Sequence, residues 1–325
     1  MIDAAIVGLG RWGQKLVTSV QGRSERIRFV RGMVRNPDKA REFSIAHDFN
    51  LSANFDDVLS DERVQAVVLA TPHSAHVEQI IAAARAGKAV LCEKPLALTR
   101  ADAQRAVDAC GKAGVLLGVG HDKRHWPSMR ELRRVVASGA LGDILLAEGN
   151  SSNEVSLQHY SPWRESAAEA PGVSLSATGV HIIDAFVSLV GPVKWVQAQA
   201  MIRKPAPGPI DSVAVMLEFA NGASGVICSA RPTPYFWRVH VFGTRGSAEA
   251  IGETELVVRL TGEKPRTLEL ERVDQVRVGL EIFADALSGR APYPMSVSEI
   301  VNTVAVFEAA AKSMETGAAV VVGET

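Results

Sequence analysis

The sequence predicts an α/β chain of two domains: a doubly wound parallel sheet over residues 1–120, then an α+β domain over 121–325 built on a large, mainly antiparallel open sheet. Three observations carry this. Short β-branched runs alternate with helical patterns up to about Gly120 and give way to longer alternating runs beyond it. The 325 residues exceed what one core serves, because chains split into domains of roughly 100 to 200 residues. A composition 47% hydrophobic and 22% charged is enough to bury cores of that size.

In order, Ala4 to Val7, Ile27 to Val34, Val67 to Ala70, Ala89 to Cys92 and Val115 to Val119 read as strands buried on both faces. Val77 to Ala86 and Ala101 to Gly111 have helical composition, with Gly87 and Gly114 where C-caps or turns are expected. Beyond His121, Ser128 to Ser138 reads as a helix, and Val193 to Ile202, Val213 to Phe219, Ala223 to Cys228 and Arg238 to Val241 as strands. Asn221-Gly222 supplies the positive φ angles of a tight hairpin. Val276 to Leu287 and Ser298 to Met314 look helical, Val320 to Val322 returns as a strand, and this C-terminal segment is free to pack back on the first domain. Val213, Val215, Leu217 and Phe219 share one strand face while Ala214, Met216 and Glu218 share the other. The chain's own helices cover one apolar face; the second calls for another copy, so a homodimer or homotetramer is expected.

A net charge of −1 offers no field for nucleic acid or an anionic membrane, so neither is an expected partner. Cys92, Cys110 and Cys228 are unevenly spaced without a C-x-x-C pair, which indicates neither a disulfide framework nor a zinc site and fits a cytoplasmic protein. The apolar run Ala4 to Gly10 is too short for a signal h-region or a membrane span. The eight histidines lack metal-ligand spacing, so no metal is expected.

Gly8-Leu9-Gly10-Arg11-Trp12-Gly13 follows the first strand and opens a helix, the context in which G-x-G-x-x-G signals a dinucleotide. Gly8 permits the tight turn, Gly10 lets backbone approach phosphate, Gly13 lets helix and strand pack, and the helix N-terminus attracts the pyrophosphate. This is a Rossmann-type cradle. Where an NAD enzyme places an acid after the second strand, the chain reads Met33-Val34-Arg35-Asn36. Arg35, helped by Lys39, suits a 2′-phosphate, so NADP is favoured over NAD; an exposed Arg35 stacking on adenine is the bland alternative.

Thr71-Pro72-His73-Ser74-Ala75-His76, the run from Ala86 to Glu93-Lys94-Pro95, and Gly179-Val180-His181-Ile182-Ile183-Asp184 add to the glycine loop. In order and spacing, with Trp163-Arg164, they resemble the Gfo/Idh/MocA family of NAD(P)-dependent oxidoreductases. The resemblance implies hydride transfer between nicotinamide and a hydroxyl or carbonyl carbon of a small sugar, cyclitol or related diol. It makes Lys94 and His181 catalytic, and places Thr71, Pro72, His76, Glu93 and Lys94 at the cofactor beside Gly8, Gly10, Arg11, Trp12, Gly13 and Arg35. Residue by residue the bland alternatives are a surface Lys94 paired with Glu93 and a core Trp163.

At 100° per residue, Ile182, Ile183, Phe186, Leu189 and Val190 form an apolar arc, with His181, Asp184 and Ser188 opposite, facing water or a cleft. The resemblance implies that Asp184, Trp163 and Arg164 lie at the substrate cleft; Arg124 and Asn153 are expected to line it from the second domain, the bland alternative being solvated loop residues. One departure stands out. Many sugar and inositol dehydrogenases of the family carry an aspartate four residues before the histidine, and here that position is Ala177. Ala177 favours a rival, a nucleotide-binding sensor without turnover; a lyase or hydrolase using tightly bound NAD transiently is another.

Overall fold

The computed structural model describes residues 1–154, 163, 166, 168–205 and 208–323, which form two compact units. One comprises Met1–Ala97, Ala101–Asp122 and Asp274–Val297; the other comprises Leu98–Arg100, Lys123–Val273 and Ser298–Thr325.

The first unit runs β1 (Ile2–Val7), α1 (Arg11–Val20), β2 (Ile27–Met33), α2 (Arg41–Ala46), β3 (Asn50–Ser52), α3 (Asp56–Leu59), β4 (Ala66–Leu69), α4 (His73–Arg85), β5 (Ala89–Glu93), α5 (Arg100–Ala113) and β6 (Leu117–Gly120). Its strands are all parallel, in the order β3-β2-β1-β4-β5-β6. Ala4, Ala5, Ile6 and Val7 are fully buried on both faces of β1, which is why the run is continuously apolar. The order reverses between β1 and β4, so the loops after these strands open the crevice where α/β sheets bind ligands. The last strand lies at Leu117–Gly120 rather than Val115 to Val119, and β3 was not foreseen because its three residues lack β-branched side chains.

The second unit holds α6 (Pro127–Ala137), β7 (Ile144–Ser152), α7 (Val180–Leu189), β8 (Val193–Lys204), β9 (Ile210–Phe219), β10 (Ser224–Arg231), β11 (Phe236–Gly243), β12 (Gly246–Ile251), β13 (Glu255–Leu260) and β14 (Arg266–Glu269). The chain then rejoins the first unit as α8 (Gln275–Leu287), whose Leu280 and Phe283 enter the core with Leu16, Val17 and Phe29. Helix α9 (Val297–Thr316) and β15 (Val320–Val321) complete the second unit. Its nine-stranded sheet has the order β14-β13-β12-β11-β7-β10-β9-β8-β15, antiparallel throughout except for β7 beside β10.

One face of this sheet is the core: Val213, Val215, Leu217 and Phe219 are buried with Phe186 of α7 and Phe307 of α9. Helix α7 lies hard against β7, since a Cβ on Gly149 would fall 2.2 Å from Ile182 Cγ2. The other face is open, with Ala214 exposed and Met216 58% exposed. The Asn221-Gly222 hairpin exists, but as a four-residue connection in which only Gly222 takes a positive φ, 87°. Gly222 N–H donates to the Phe219 carbonyl and Phe219 N–H to that of Ala223, a wider closure than the two-residue turn expected.

Candidate functional site

In the first unit the glycine loop is dictated by close approach. Gly8 has φ 93°, and a Cβ there would lie 2.5 Å from the Ala70 carbonyl oxygen; one on Gly13 would lie 1.9 Å from that of Gly8. The loops after β1 and β4 therefore touch at the switch point. Gly8 N–H donates to Met33 O at 2.9 Å, tying the loop to the end of β2. Gly10 caps α1 without a side-chain hydrogen bond, and no acid lies in the first turn, so the helix start keeps its amides and positive potential for an anion. Just beyond β2, Arg35 and Lys39 are exposed, as is Arg11 at the start of α1, and none pairs with a described residue. Asp38 is held by Arg41 at 2.6 Å, so the end of β2 is net positive. The glycine loop and the end of β2 therefore present amides and cations to an anionic ligand such as a dinucleotide.

The loop after β5 carries Glu93, Lys94 and Pro95. Glu93 faces Gly120 across β5 and β6, where a Cβ would come within 2.5 Å of Glu93 Oε1, so the carboxyl lies flat on the sheet end. Burial pushes it up to about 7; Asp122 adds to the rise, while the Trp12 indole and the Lys94 ammonium oppose it. Lys94 is half-buried, and its peptide to Pro95 is cis. Thr71 donates its hydroxyl to Gln79 at 2.7 Å and Pro72 caps α4. His76, fully buried in the first turn of α4, sets Nδ1 3.0 Å from Pro95 O and Nε2 3.1 Å from Thr71 O. Its ring thus meets the backbone of the loops after β4 and β5.

In the second unit a π-helical turn, Leu175–Gly179, leads into α7. Thr178 Oγ1 sits 3.3 Å from both Asn153 Nδ2 and Ser151 O. Asn153 is itself fixed by backbone bonds to Ala230 and Thr233, so Asn153 and the turn carrying Ala177 meet just before His181. His181 is buried at 5% exposure.

On the polar face of α7, His181 and Asp184 are buried and Ser188 is half-buried, so the face does not lie open to water. Asp184 is 2% exposed, and Arg124 donates to it from Nε and Nη2 at 2.7 and 2.8 Å, with Nη2 also 3.2 Å from Glu299 Oε1. Arg133 donates to Ser188 at 3.0 Å. Two arginines thus bind this face from within the unit, Arg124 at Asp184 and Arg133 at Ser188. Burial, then the Arg124 charge, drives neighbouring His125 down to about 4. Trp163 is half-buried, and Arg164 lies outside the described residues.

Two features escaped sequence reasoning. Glu299 gives no local signal, standing 175 positions from Arg124. Lys123 places its ammonium 3.9 Å from the Trp126 ring centroid and 4.6 Å from that of Trp237, and donates to Tyr235 Oη at 3.2 Å. Only the Lys123-x-x-Trp126 spacing hinted at it. Among the described residues no group of three or more His, Cys, Asp or Glu is arranged to hold a metal, and no helix is long and apolar enough to cross a membrane.

Residues 2–121 match the oxidoreductase family with an NAD-binding Rossmann fold, and residues 129–249 match the GFO/IDH/MocA C-terminal domain. The chain is 29% identical to scyllo-inositol 2-dehydrogenase (NAD(+)) of Bacillus subtilis over 76% of this chain and 72% of that one. It is 28% identical to trans-1,2-dihydrobenzene-1,2-diol dehydrogenase of Sus scrofa over 69% and 68%. Among solved structures, levoglucosan dehydrogenase in complex with NADH and L-sorbose superposes with a TM-score of 0.87 at 24% identity, covering 100% of this chain and 99% of that one, a likeness of fold.

Proposed function

Because the chain belongs to the Gfo/Idh/MocA family of NAD(P)-dependent oxidoreductases, we propose that it moves a hydride between NADP and a hydroxyl-bearing carbon of a small diol, sugar or cyclitol. The observation that carries this reading is the glycine cradle at the β1/β4 switch point beside a strand end bearing Lys94. Bound nicotinamide supplies the hydride acceptor or donor. The chain's residues do the rest. Gly8, Gly10, Arg11, Trp12 and Gly13 receive the pyrophosphate; Arg35 pairs with the 2′-phosphate; Thr71, Pro72 and Glu93 border the nicotinamide end. Lys94 donates from Nζ to the substrate oxygen and stabilises charge developing there, and His181 or Lys94 takes the hydroxyl proton. Asn153, Trp163 and Arg164 contact substrate. Arg124 and Asp184 hold the helix that carries His181.

The open face of the nine-stranded sheet, with Met216 and Met201 each 58% exposed, supports assembly into a homodimer or homotetramer. The three free thiols fit a reducing cytoplasm. Ala177 alone favours the rival reading of a sensor without turnover. Lys94→Ala separates the two: the enzyme reading expects turnover to fall at least a hundredfold with cofactor affinity within threefold, because the lysine acts on the transferring oxygen. Turnover within a few-fold of the parent contradicts that role.

A further inference from the structure

Resting on the reading of Lys94 as the group at the substrate oxygen, we propose that His76 is a positioning residue: as an imidazolium it donates from both ring nitrogens to the Thr71 and Pro95 carbonyls and so fixes the loop that carries Lys94.

The argument is a proton count. Carbonyl oxygens only accept, yet one stands 3.0 Å from Nδ1 and another 3.1 Å from Nε2. A neutral imidazole has a single N–H, so one nitrogen would then face a carbonyl lone pair to lone pair in a site closed to water, where His76 is fully buried. The doubly protonated ring satisfies both contacts, each strengthened by charge. The titratable groups on the elements it joins include His73, one turn back on α4 with ring centroids 5.8 Å apart, Glu78 and Arg85 further along α4, Cys92 on β5, and Glu93 and Lys94 beside Pro95. The helix start opposes a positive charge and ionised Glu93 favours it.

The consequence is mechanical and electrostatic. Thr71 follows β4 at the switch point and Pro95 follows Lys94 directly, so one side chain joins the loops after β4 and β5. Without this tie the Lys94 loop is held by fewer bonds, and a misplacement of about 1 Å at a reacting group is enough for roughly a hundredfold loss of rate. The fixed cation beside Pro95 also favours the unprotonated form of Lys94, which a base role requires.

The test combines a spectroscopic and a kinetic readout on the full chain. In protein carrying 15N-histidine, long-range proton–nitrogen correlation at pH 8 should reveal one ring, slow to exchange with solvent, with protons on both nitrogens, and that signal should vanish in His76→Gln. His76→Gln should lose roughly ten- to a hundredfold in kcat with cofactor affinity within threefold, His76→Leu should lose more, and the acidic limb of the kcat profile, set by the base that must be unprotonated, should move to higher pH. A buried ring that is neutral at pH 8 overturns the proposal, and does so even where no turnover is found, so this failure is separate from failure of the dehydrogenase reading. A variant that loses only thermal stability, with kcat and its pH profile unchanged, overturns it too.

Discussion

Removing the carboxylate of Asp184 tests whether the polar face of α7 is scaffold or substrate site. In Asp184→Ala the Arg124 guanidinium, its side chain 4% exposed, loses two charge-assisted bonds of 2.7 and 2.8 Å. Stripping one partner from a buried ion pair costs about 3–5 kcal/mol, since the survivor stays desolvated. Glu299 remains 3.2 Å from Nη2 and keeps a counter-charge there, which puts the cost near the lower end, about 3 kcal/mol. For a unit of this size that corresponds to roughly 6–12 °C in Tm. Arg124→Ala removes the cation bonded to both Asp184 and Glu299, leaving Arg133 as a weaker counter-charge, and should cost more, about 5 kcal/mol. Replacing both partners with apolar residues, Arg124→Met with Asp184→Leu, should cost less than either single change, because no charge is then stranded. Thermal unfolding followed by circular dichroism measures all three. If Asp184→Ala melts within about 2 °C of the parent yet loses turnover, Asp184 works on the substrate and the scaffold account is wrong.

Three further outcomes are expected. Burial holds His125 near 4, below its ordinary 6.5, so the unfolded chain takes up a proton between these values that the folded chain refuses. The stability it contributes is present above about pH 6.5 and drains away as pH falls toward 4, by up to about 3 kcal/mol, and His125→Gln should flatten the Tm profile over that window; an unchanged slope sinks the assignment. Arg35→Ala should weaken NADP binding roughly tenfold and leave NAD binding almost untouched, as loss of one charge-assisted contact requires; equal affinity for the two cofactors in the parent speaks against the 2′-phosphate role. Cys228 is exposed on the open face of β10 while Cys92 and Cys110 are buried, so maleimide should label one thiol, slowly at high protein concentration and faster on dilution. A scattering mass of 34.7 kDa with concentration-independent labelling means a monomer.

What was legible in the sequence was whatever is local. The turn from β1 into α1 could be read because the glycines, the strand before them and the helix after them occupy consecutive positions, and the demands on Gly8 and Gly13 are backbone demands. The parallel strands were legible because burial on both faces leaves unbroken apolar runs. Strand β7 was not, since Glu148, Asn150 and Ser152 point away from the core and Gly149 must be small to admit Ile182, so no apolar alternation survives. Helical geometry grouped His181, Asp184 and Ser188 on one face but did not show that His181 and Asp184 are buried. Asp184 is met by Arg124, itself bound to Glu299, and these lie 60 and 115 residues from Asp184; no periodicity within the helix registers partners that far away. The motif singled out His76, yet which atoms its ring meets depends on how the next strand's loop folds back.

The most direct measurement of the central claim follows nicotinamide absorbance while the purified chain meets sugars, cyclitols and aromatic dihydrodiols with NADP and with NAD. Hydride transfer predicts a net absorbance change with at least one vicinal diol, faster with NADP, and absent in Lys94→Ala although that variant still binds cofactor. Tight cofactor binding with no net absorbance change across the whole panel contradicts it, and would point to the sensor or the transient-redox reading instead.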